Sequence, residues 1–432
     1  MPGGLWRSGE AMSEKKQLIH TPEGVRDIYH RECRNKLAVQ QKILNVLYSY
    51  GYEHIQTPSF EYFDIFSKDR GSVTSQEMFK FFDRDNNTLV LRPDMTPAVA
   101  RCVAKYFKDD TMPLRLCYLE RTFKNNSSYQ GRLKERTETG AEMIGDDCAD
   151  ADAEMIAMVI DSLKTAGLKD FQVELGQVEF YHSLVEEAGL DEEVEAELNL
   201  LIENKNYFGV EELLKNQPMD QELKQVFLRL PEFFGSIDRI LEAGELTANP
   251  RALGAIRRLE EVHGILEGCG LADYVTYDLG MLSKYRYYTG TIFKAYTYGT
   301  GDYIVTGGRY DKLLVQFGKD APAVGFVIVV DQLMAALSRQ QINVPVVLPG
   351  TVILYEPSAR AEALWLAGHF RRQNLDVQSM KRDPDRALAD YMDMVKRRGL
   401  RNLLYLEGDG KVVRAMDMAQ DREDSIPLSA YE

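Results

Sequence analysis

The stretch RTFKNNSSYQGRLKERTETGAEMIG, running from Arg121 to Gly145, decides the fold. It reads as a strand, a polar loop and a second strand. The second strand alternates, so Glu138 and Glu142, four residues apart, fall on one face together with Gly140. Two carboxyls beside a glycine suggest a polar pocket; a solvated sheet face is the plain alternative. Hairpins of this kind can wrap a nucleotide, but that work usually needs an arginine on the first strand. Lys124 stands there.

Upstream, FKFFDRDNNTLVLRPDMT has the form of a hairpin with an Asp-Asn-Asn turn. It leads into LRPDMTP, where Asp94, Met95 and Thr96 lie between a strand and a helix. Thr96 is expected to cap that helix, with Pro97 at its first position. A carboxylate and a hydroxyl at such a junction can hold an ammonium group; taken alone, they are a helix cap. Earlier still, RNKLAVQQKILNVLYSY puts Leu37, Ile43, Leu44 and Leu47 on one helical stripe that Gly51 ends. EHIQTPSFEYFDIF follows as an extended segment whose Pro58 suits a sheet edge.

Downstream, a helix is expected over about 150–166, stopping at Gly167, and FQVELG reads as a strand. From about Asp191 to Glu267 Leu, Glu and Lys recur at helical spacing, which marks a helical insertion. Strands resume at 274–280, 291–297 and 302–305, before a Gly-Gly turn and a strand-helix over 321–337. In KYRYYTGTIFKAYTYGTGDYIVTGGRYDKLL, Tyr287, Tyr288, Gly290, Gly307 and Gly308 combine aromatic walls with backbone a ligand can approach closely. Hairpin turns with ordinary aromatic packing would look similar. Residues 343–350 read as a linker. Beyond it 351–432 alternate strand and helix, as in a small α/β domain.

Composition narrows the function. The chain has 432 residues, 44% of them hydrophobic, so it folds with more than one domain. A net charge of −15 argues against a polyphosphate partner, which wants a face rich in Lys and Arg. The five cysteines form no C-x-x-C pair and none joins the six histidines at metal-ligand spacing, so buried or inert thiols in a reducing cytoplasm are expected, with no metal. No apolar run reaches membrane-spanning length. Residues 1–17 lack the apolar core of a signal peptide and read as a flexible leader, with Met12 as an alternative start.

In this order the motifs resemble the catalytic core of histidyl-tRNA synthetase, over roughly 18–340. GYEHIQTPSFE is similar to class II motif 1, the dimer-interface segment. Arg121 to Gly145 is similar to motif 2 and GFVIVVDQL to motif 3. SKYRYYTGTIF and GGRYDKL are similar to the two histidine-specific signatures. The resemblance implies an α+β fold: a class II synthetase-like antiparallel sheet flanked by helices, with the helical insertion and the small C-terminal domain.

The departures from that family are chemical. Where it has the arginine that grips the ATP α-phosphate, this chain has Lys124. The glutamate that holds adenine is Asn126, and the phenylalanine that stacks on it is Arg136. The motif 3 arginine is Gln332, and the catalytic arginine of the first signature is Ser283. Arginine offers a planar, permanently charged fork; Gln and Ser carry no charge, and Lys is a point charge. One lost donor of this kind costs about 2.7–4 kcal/mol in the transition state, so efficient adenylation is not expected. The amino-acid half is better kept. Asp94, Thr96 and Glu138 match the ammonium-holding positions, Glu138 standing where a glutamine is usual, and Met95 between them belongs to the histidine-binding set. Glu142 matches the acid facing the imidazole, Tyr287 and Tyr288 the aromatic wall, and Lys124 remains for the ligand carboxylate.

A synthetase-like chain of this profile resembles the regulatory subunits of ATP phosphoribosyltransferase, down to Ser283 and the YTYGTG run. That resemblance implies a cytoplasmic, non-catalytic protein that binds histidine and needs no cofactor. Its partner would be the short catalytic subunit of the first step of histidine biosynthesis, in a hetero-octamer built from dimers. It would activate that subunit and confer feedback inhibition. A divergent histidyl-tRNA synthetase and another synthetase-like amino-acid binder are the alternatives. The C-terminal domain stands where the synthetase has its anticodon-binding domain, but MVKRRGLR (394–401) reads as a solvated helix end, and tRNA binding is not expected.

Overall fold

Helix α1 (His30–Ser49) buries Val39, Ile43, Leu44 and Leu47 along one stripe, and Gly51 turns the chain out of it at φ 83°. Leu37 is not part of that stripe. It is 59% exposed, sitting about 240° around the helix from Ile43 at 100° per residue. The computed structural model describes residues 19–67, 73–126, 133–215, 217–282, 287–344 and 350–431. The expected leader through residue 17, residues 127–132 of the motif 2 stretch, Ser283 and linker positions 345–349 lie outside the described residues. The chain divides into two compact units, one of Met1–Asp27 and Lys36–Val344, the other of Ile28–Asn35 and Pro345–Glu432.

The first unit begins with short strands β1 (Glu53–His54), β2 (Phe60–Tyr62), β3 (Lys80–Phe82) and β4 (Thr88–Leu91). The last three form their own sheet in the order β2-β4-β3. The β3–β4 turn is closed by Asp83, whose carboxylate accepts the backbone N–H groups of Asp85 and Asn87, and Asn86 takes φ 62° there. Helix α2 (Thr96–Tyr106) does not use Thr96 as its cap. Met95 holds the cap position with no side-chain bond, and Thr96 is already helical. The Thr96 hydroxyl instead donates to the Glu142 carboxyl.

Strands β5 (Leu114–Phe123) and β6 (Glu135–Ile144) pair antiparallel from Leu114 opposite Ile144 to Phe123 opposite Glu135. Helix α3 (Ala149–Ala166) is buried almost all round, and Gly167 at φ 112° stops it while its N–H bonds the Leu163 and Lys164 carbonyls. After β7 (Phe171–Gln177) and α4 (Val178–Ala188) come the insertion helices α5 (Glu192–Glu203), α6 (Tyr207–Leu214) and α7 (Gln221–Arg229). The two-residue strand β8 (Phe234–Gly235), α8 (Ile237–Gly244) and α9 (Pro250–Gly268) complete that segment. The chain then returns to the sheet with β9 (Val275–Asp278), β10 (Thr291–Thr297), β11 (Val305–Arg309), β12 (Ala323–Val329) and α10 (Val330–Arg339).

The large sheet has nine strands in the order β1-β5-β6-β12-β11-β10-β7-β9-β8. Only β1–β5 and β7–β9 pair parallel. The expected Gly-Gly turn is instead strand. Gly307 and Gly308 lie inside β11, opposite Phe293 and Ile292 on one side and Phe326 and Gly325 on the other, so the strand expected at 302–305 starts only at Val305. Their missing Cβ atoms serve close packing rather than a reversal: a Cβ on Gly307 would come within 2.5 Å of the Phe293 ring. On one face of the sheet Ala141 and Met143 share a core cluster with Met155, Val159 and Leu163 of α3. On the other face Met95, Val99, Tyr118, Tyr287, Tyr288 and Tyr310 form a second cluster. Of the cysteines, expected buried or inert, Cys117 is buried but Cys269 is exposed, and all five are free thiols.

The second unit has a five-stranded sheet in the order β14-β13-β15-β16-β17. Its elements are β13 (Thr351–Tyr355), α11 (Arg360–Arg372), β14 (Val377–Lys381), α12 (Leu388–Arg397), β15 (Asn402–Leu406), β16 (Val412–Asp417) and β17 (Arg422–Pro427). Alternation in β13 sends Ile353 to pack with α11 and Val352 and Leu354 to pack with α12, on opposite faces. The strand-helix alternation gives way to β16 and β17, which add antiparallel to β15. No described helix is long and apolar enough to cross a membrane.

Candidate functional site

The site is set by one row across the large sheet. Cross-strand partners Glu142, Gly325, Gly308 and Ile292 lie side by side on β6, β12, β11 and β10. The two central glycines leave the floor low enough for side chains to lie across it. A Cβ on Gly325 would come 1.7 Å from Glu142 Oε2, and one on Gly308 would come 2.9 Å from the Tyr288 ring. In the next row Gly140 faces Tyr118, and a Cβ there would come 2.6 Å from the Tyr118 hydroxyl.

Glu142 is 1% exposed. Its carboxyl accepts hydrogen bonds from Thr96 Oγ1 at 2.9 Å and from the hydroxyls of Tyr310 and Tyr118. Burial pushes this carboxyl up to about 8, and the Tyr310 and Thr96 hydrogen bonds hold it from going higher. Asp94 Oδ2 accepts from the Tyr287 hydroxyl at 3.1 Å, and Asp94 Oδ1 accepts from the Thr96 backbone N–H at 3.2 Å. Tyr287 stands edge-on to Tyr288 and Tyr310, with ring centroids 5.0 and 5.9 Å away. Asp94, Thr96, Tyr287, Tyr288 and Tyr310 line a cavity of about 20 Å³ over Gly325, which is room for about one water.

Glu138 lies on the same face of β6, 6% exposed, toward the β5–β6 loop. Burial raises its carboxyl, and the Lys124 ammonium opposes that rise. Met95 is buried in the aromatic cluster beneath the cavity and is not among its lining residues.

Beside this cavity is a cleft of about 420 Å³ that brings together Lys124, Asn126 and Arg136. Its far wall is acidic as well as basic, with Glu174, Glu203, Lys205, Asp278 and Lys294. Lys205 of the insertion pairs with Asp278 at the end of β9. Burial depresses the Lys294 ammonium and raises the Glu174 carboxyl opposite it on β7. The Asn126 amide nitrogen is buried without a partner. Among the described residues lining the cleft, acids stand among bases and no row of guanidinium forks faces a triphosphate. Gln332 is on α10 and is not among the residues lining the cleft. A larger cavity of about 580 Å³ between α3 and α9 is lined by Cys148, Asp150, Arg257 and Glu261 but by none of the motif residues. Chemistry rather than volume selects the site. Among the described residues, no three His, Cys, Asp or Glu side chains converge as a metal site.

Sequence reasoning missed Tyr118 and Tyr310, the two hydroxyls that complete the cage around Glu142. The signal for Tyr118 was a large residue opposite a glycine, but the register that pairs it with Gly140 is not readable locally. Tyr310 directly follows the β11 segment VTGGR and was passed over for the glycines beside it.

Residues 24–333 match the family model of histidyl-tRNA synthetase. An ATP phosphoribosyltransferase regulatory subunit from Acetivibrio thermocellus is 39% identical over 399 residues, covering 92% of this chain and 93% of that one. A crystal structure from Bacillus halodurans, described as an ATP phosphoribosyltransferase regulatory subunit/histidyl-tRNA synthetase, superposes with a TM-score of 0.81 at 31% identity. It covers 90% of this chain and 99% of its own. Histidyl-tRNA synthetase from Nostoc sp. PCC 7120 superposes with a TM-score of 0.80 over 96% of this chain and 98% of that one. At 19% identity, that likeness speaks for the fold alone.

Proposed function

We propose a histidine-sensing role from one premise: the chain belongs to the family of ATP phosphoribosyltransferase regulatory subunits, built on the histidyl-tRNA synthetase fold. In this reading it binds the short catalytic subunit that joins ATP to phosphoribosyl pyrophosphate, activates it, and carries feedback inhibition by histidine. The observation that carries the reading is the contrast between two neighbouring sites. The caged Glu142 stands with Asp94, Thr96, Tyr287 and Tyr288 over a glycine floor. The adjoining cleft holds Lys124, Asn126 and Arg136 among self-neutralising charges. The first suits an amino acid bearing an imidazole; the second lacks what adenylation needs.

Asp94 and Glu138 would take the ligand ammonium, Lys124 its carboxylate and Glu142 its imidazole, with the tyrosines as walls. The assembly would be a hetero-octamer of regulatory and catalytic dimers in the cytoplasm, without a cofactor or a metal. Inhibition requires that histidine bind the active and inhibited assemblies with different affinity, typically by about 1–3 kcal/mol. The test is phosphoribosyl-ATP formation by the short catalytic subunit, with and without this chain, across a histidine titration. Activation that histidine suppresses is the expected result. An unchanged rate, together with histidine-dependent ATP–pyrophosphate exchange by this chain alone, would replace the reading with a divergent synthetase.

A further inference from the structure

We propose that Lys294 and Glu174 form an amine–carboxyl pair that captures a small aldehyde or ketone in the cleft as a Schiff base. This activity is separate from histidine sensing and uses side chains that the amino-acid cavity does not.

Lys294 on β10 and Glu174 on β7 stand directly opposite each other in the antiparallel register. Both are half-buried, and both line the cleft of about 420 Å³. Facing residues on neighbouring strands hold their Cβ atoms about 5 Å apart, near enough for a lysine and a glutamate to close into an ion pair. No such pair forms here. Among the described residues, neither side chain has a hydrogen bond or an ion pair, and the Lys294 ammonium nitrogen lies 6.0 Å from the centroid of the Tyr303 ring. The neighbouring Lys205 and Asp278 are taken up with each other. Glu203 and Asp302 line the same cleft.

An amine and a carboxyl that share a half-dry cleft without pairing are each poorly compensated when charged. Burial depresses the Lys294 ammonium, with the Lys205 charge adding to the effect and Glu174, Glu203 and Asp302 opposing it. Burial also raises the Glu174 carboxyl, with Asp278 adding and Lys205 and Lys294 opposing. Both shifts favour the neutral forms. A lysine desolvated beside another cation is a nucleophile, and a carboxyl that keeps its proton can donate it. Opposed shifts on neighbouring titratable groups mark a division into base and acid.

The Lys294 nitrogen would attack the carbonyl carbon, forming an N–C bond. One amine proton passes to the carbonyl oxygen, which leaves a carbinolamine. Glu174 then protonates that hydroxyl, the C–O bond breaks, and water leaves. The products are an iminium on Lys294 and a carboxylate on Glu174. A carbonyl compound suits this wall better than an acyl donor does. The iminium restores a positive charge beside Glu174, Glu203 and Asp302, whereas an amide would leave those carboxyls without a cation.

Reductive trapping of the full chain tests this, with glycolaldehyde as the probe, cyanoborohydride in excess and peptide mass spectrometry as the readout. At about pH 6.5 an ordinary lysine has only about one amine in ten thousand free of its proton, and each unit of depression raises that share about tenfold. Lys294 should therefore be labelled at least about tenfold ahead of the exposed Lys108 and Lys312. Labelling of Lys294 no faster than theirs overturns the proposal. Glu174→Gln should slow aldehyde labelling of Lys294 at least about tenfold without slowing its acylation by acetic anhydride, which needs no loss of water. Aldehyde labelling unchanged in that variant overturns the pair. The wild-type chain decides if the variant fails to fold. Relative to Lys108, the ratio of aldehyde to anhydride labelling at Lys294 should fall between about pH 6 and about pH 9, as Glu174 loses its proton. A constant ratio overturns the pair.

Discussion

Histidine affinity should stay level from about pH 6.5 to about pH 8 and fall about tenfold per pH unit above that range. The reasoning is a proton count. In the complex one proton is shared between the imidazole and Glu142. In the free partners, Glu142 keeps its proton up to about pH 8, and an imidazole loses its own near about 6.5. Between those limits the free partners hold one proton, the complex holds one, and pH has no leverage. Above about 8 the complex must take up a proton that neither partner carries; below about 6.5 it must release one. An ordinary glutamate near about 4.3 gives a different curve, with affinity falling about fifteenfold between pH 6.5 and 8. Calorimetry in buffers of different ionisation enthalpy reads both the affinity and the proton count. Glu142→Gln carries whatever pH dependence the ligand ammonium and Asp94 bring, so the difference between the two profiles isolates Glu142. A loss of about fifteenfold across that window, present in wild type and absent in the variant, would refute the caged, protonated carboxyl. Stability follows with a definite sign. From about pH 4.5 to about 8 the unfolded chain has lost this proton and the folded chain has kept it, so stability declines as pH rises. Glu142→Gln should therefore gain in melting temperature relative to wild type at pH 8 and not at pH 4.

Glu142→Ala or Tyr288→Ala should relieve histidine inhibition of the phosphoribosyltransferase while leaving its activation intact. Unchanged inhibition in both variants would remove the sensor from this pocket. Gly325→Ala places a methyl 1.7 Å from Glu142 Oε2 and 2.8 Å from the Ala141 carbonyl oxygen. It should cost about 1–3 kcal/mol of stability and weaken histidine binding, as thermal melts and calorimetry would show; a variant that binds as wild type does would contradict the glycine-floor account. Asp152→Ala takes a carboxylate that is 0% exposed from Arg309, whose side chain is 4% exposed, and leaves that guanidinium to Asp311 and the Asp146 and Cys148 carbonyls. Chemical denaturation should register a loss of about 3–5 kcal/mol, and a loss below 1 kcal/mol would mean the pair is not what holds β11 to α3.

Much of the frame was legible because it depends on short-range regularities. The alternation in TETGAEM puts Glu138 and Glu142 on one face whatever surrounds them, and a glycine after an apolar helical run stops α3 at Gly167. The misreadings share one cause. Thr96 was expected at a cap because a hydroxyl before a helix usually accepts a backbone N–H, yet the cap falls one residue earlier, on Met95, and the Thr96 hydroxyl donates to Glu142, distant in sequence. Gly307 and Gly308 were expected in a turn because paired glycines usually reverse a chain. Here Phe293, Tyr288 and Gly325 approach so closely that only glycine fits in a straight strand.

The sequence by itself determined which chemistry is absent. A lysine at 124, an asparagine at 126, a serine at 283 and a glutamine at 332 cannot present guanidinium forks in any fold. It also determined which side chains could replace that chemistry with amino-acid recognition. Only the tertiary structure decided how those side chains behave. Glu142 holds its proton because strands and loops from distant parts of the chain bury it, while the Tyr310, Thr96 and Tyr118 hydroxyls they supply limit the rise. The Lys124 ammonium bears on Glu138 because the two strands of one hairpin bring them near each other. Residue type is local, but solvation and field are properties of the whole packed neighbourhood, and these set the protonation states on which binding depends.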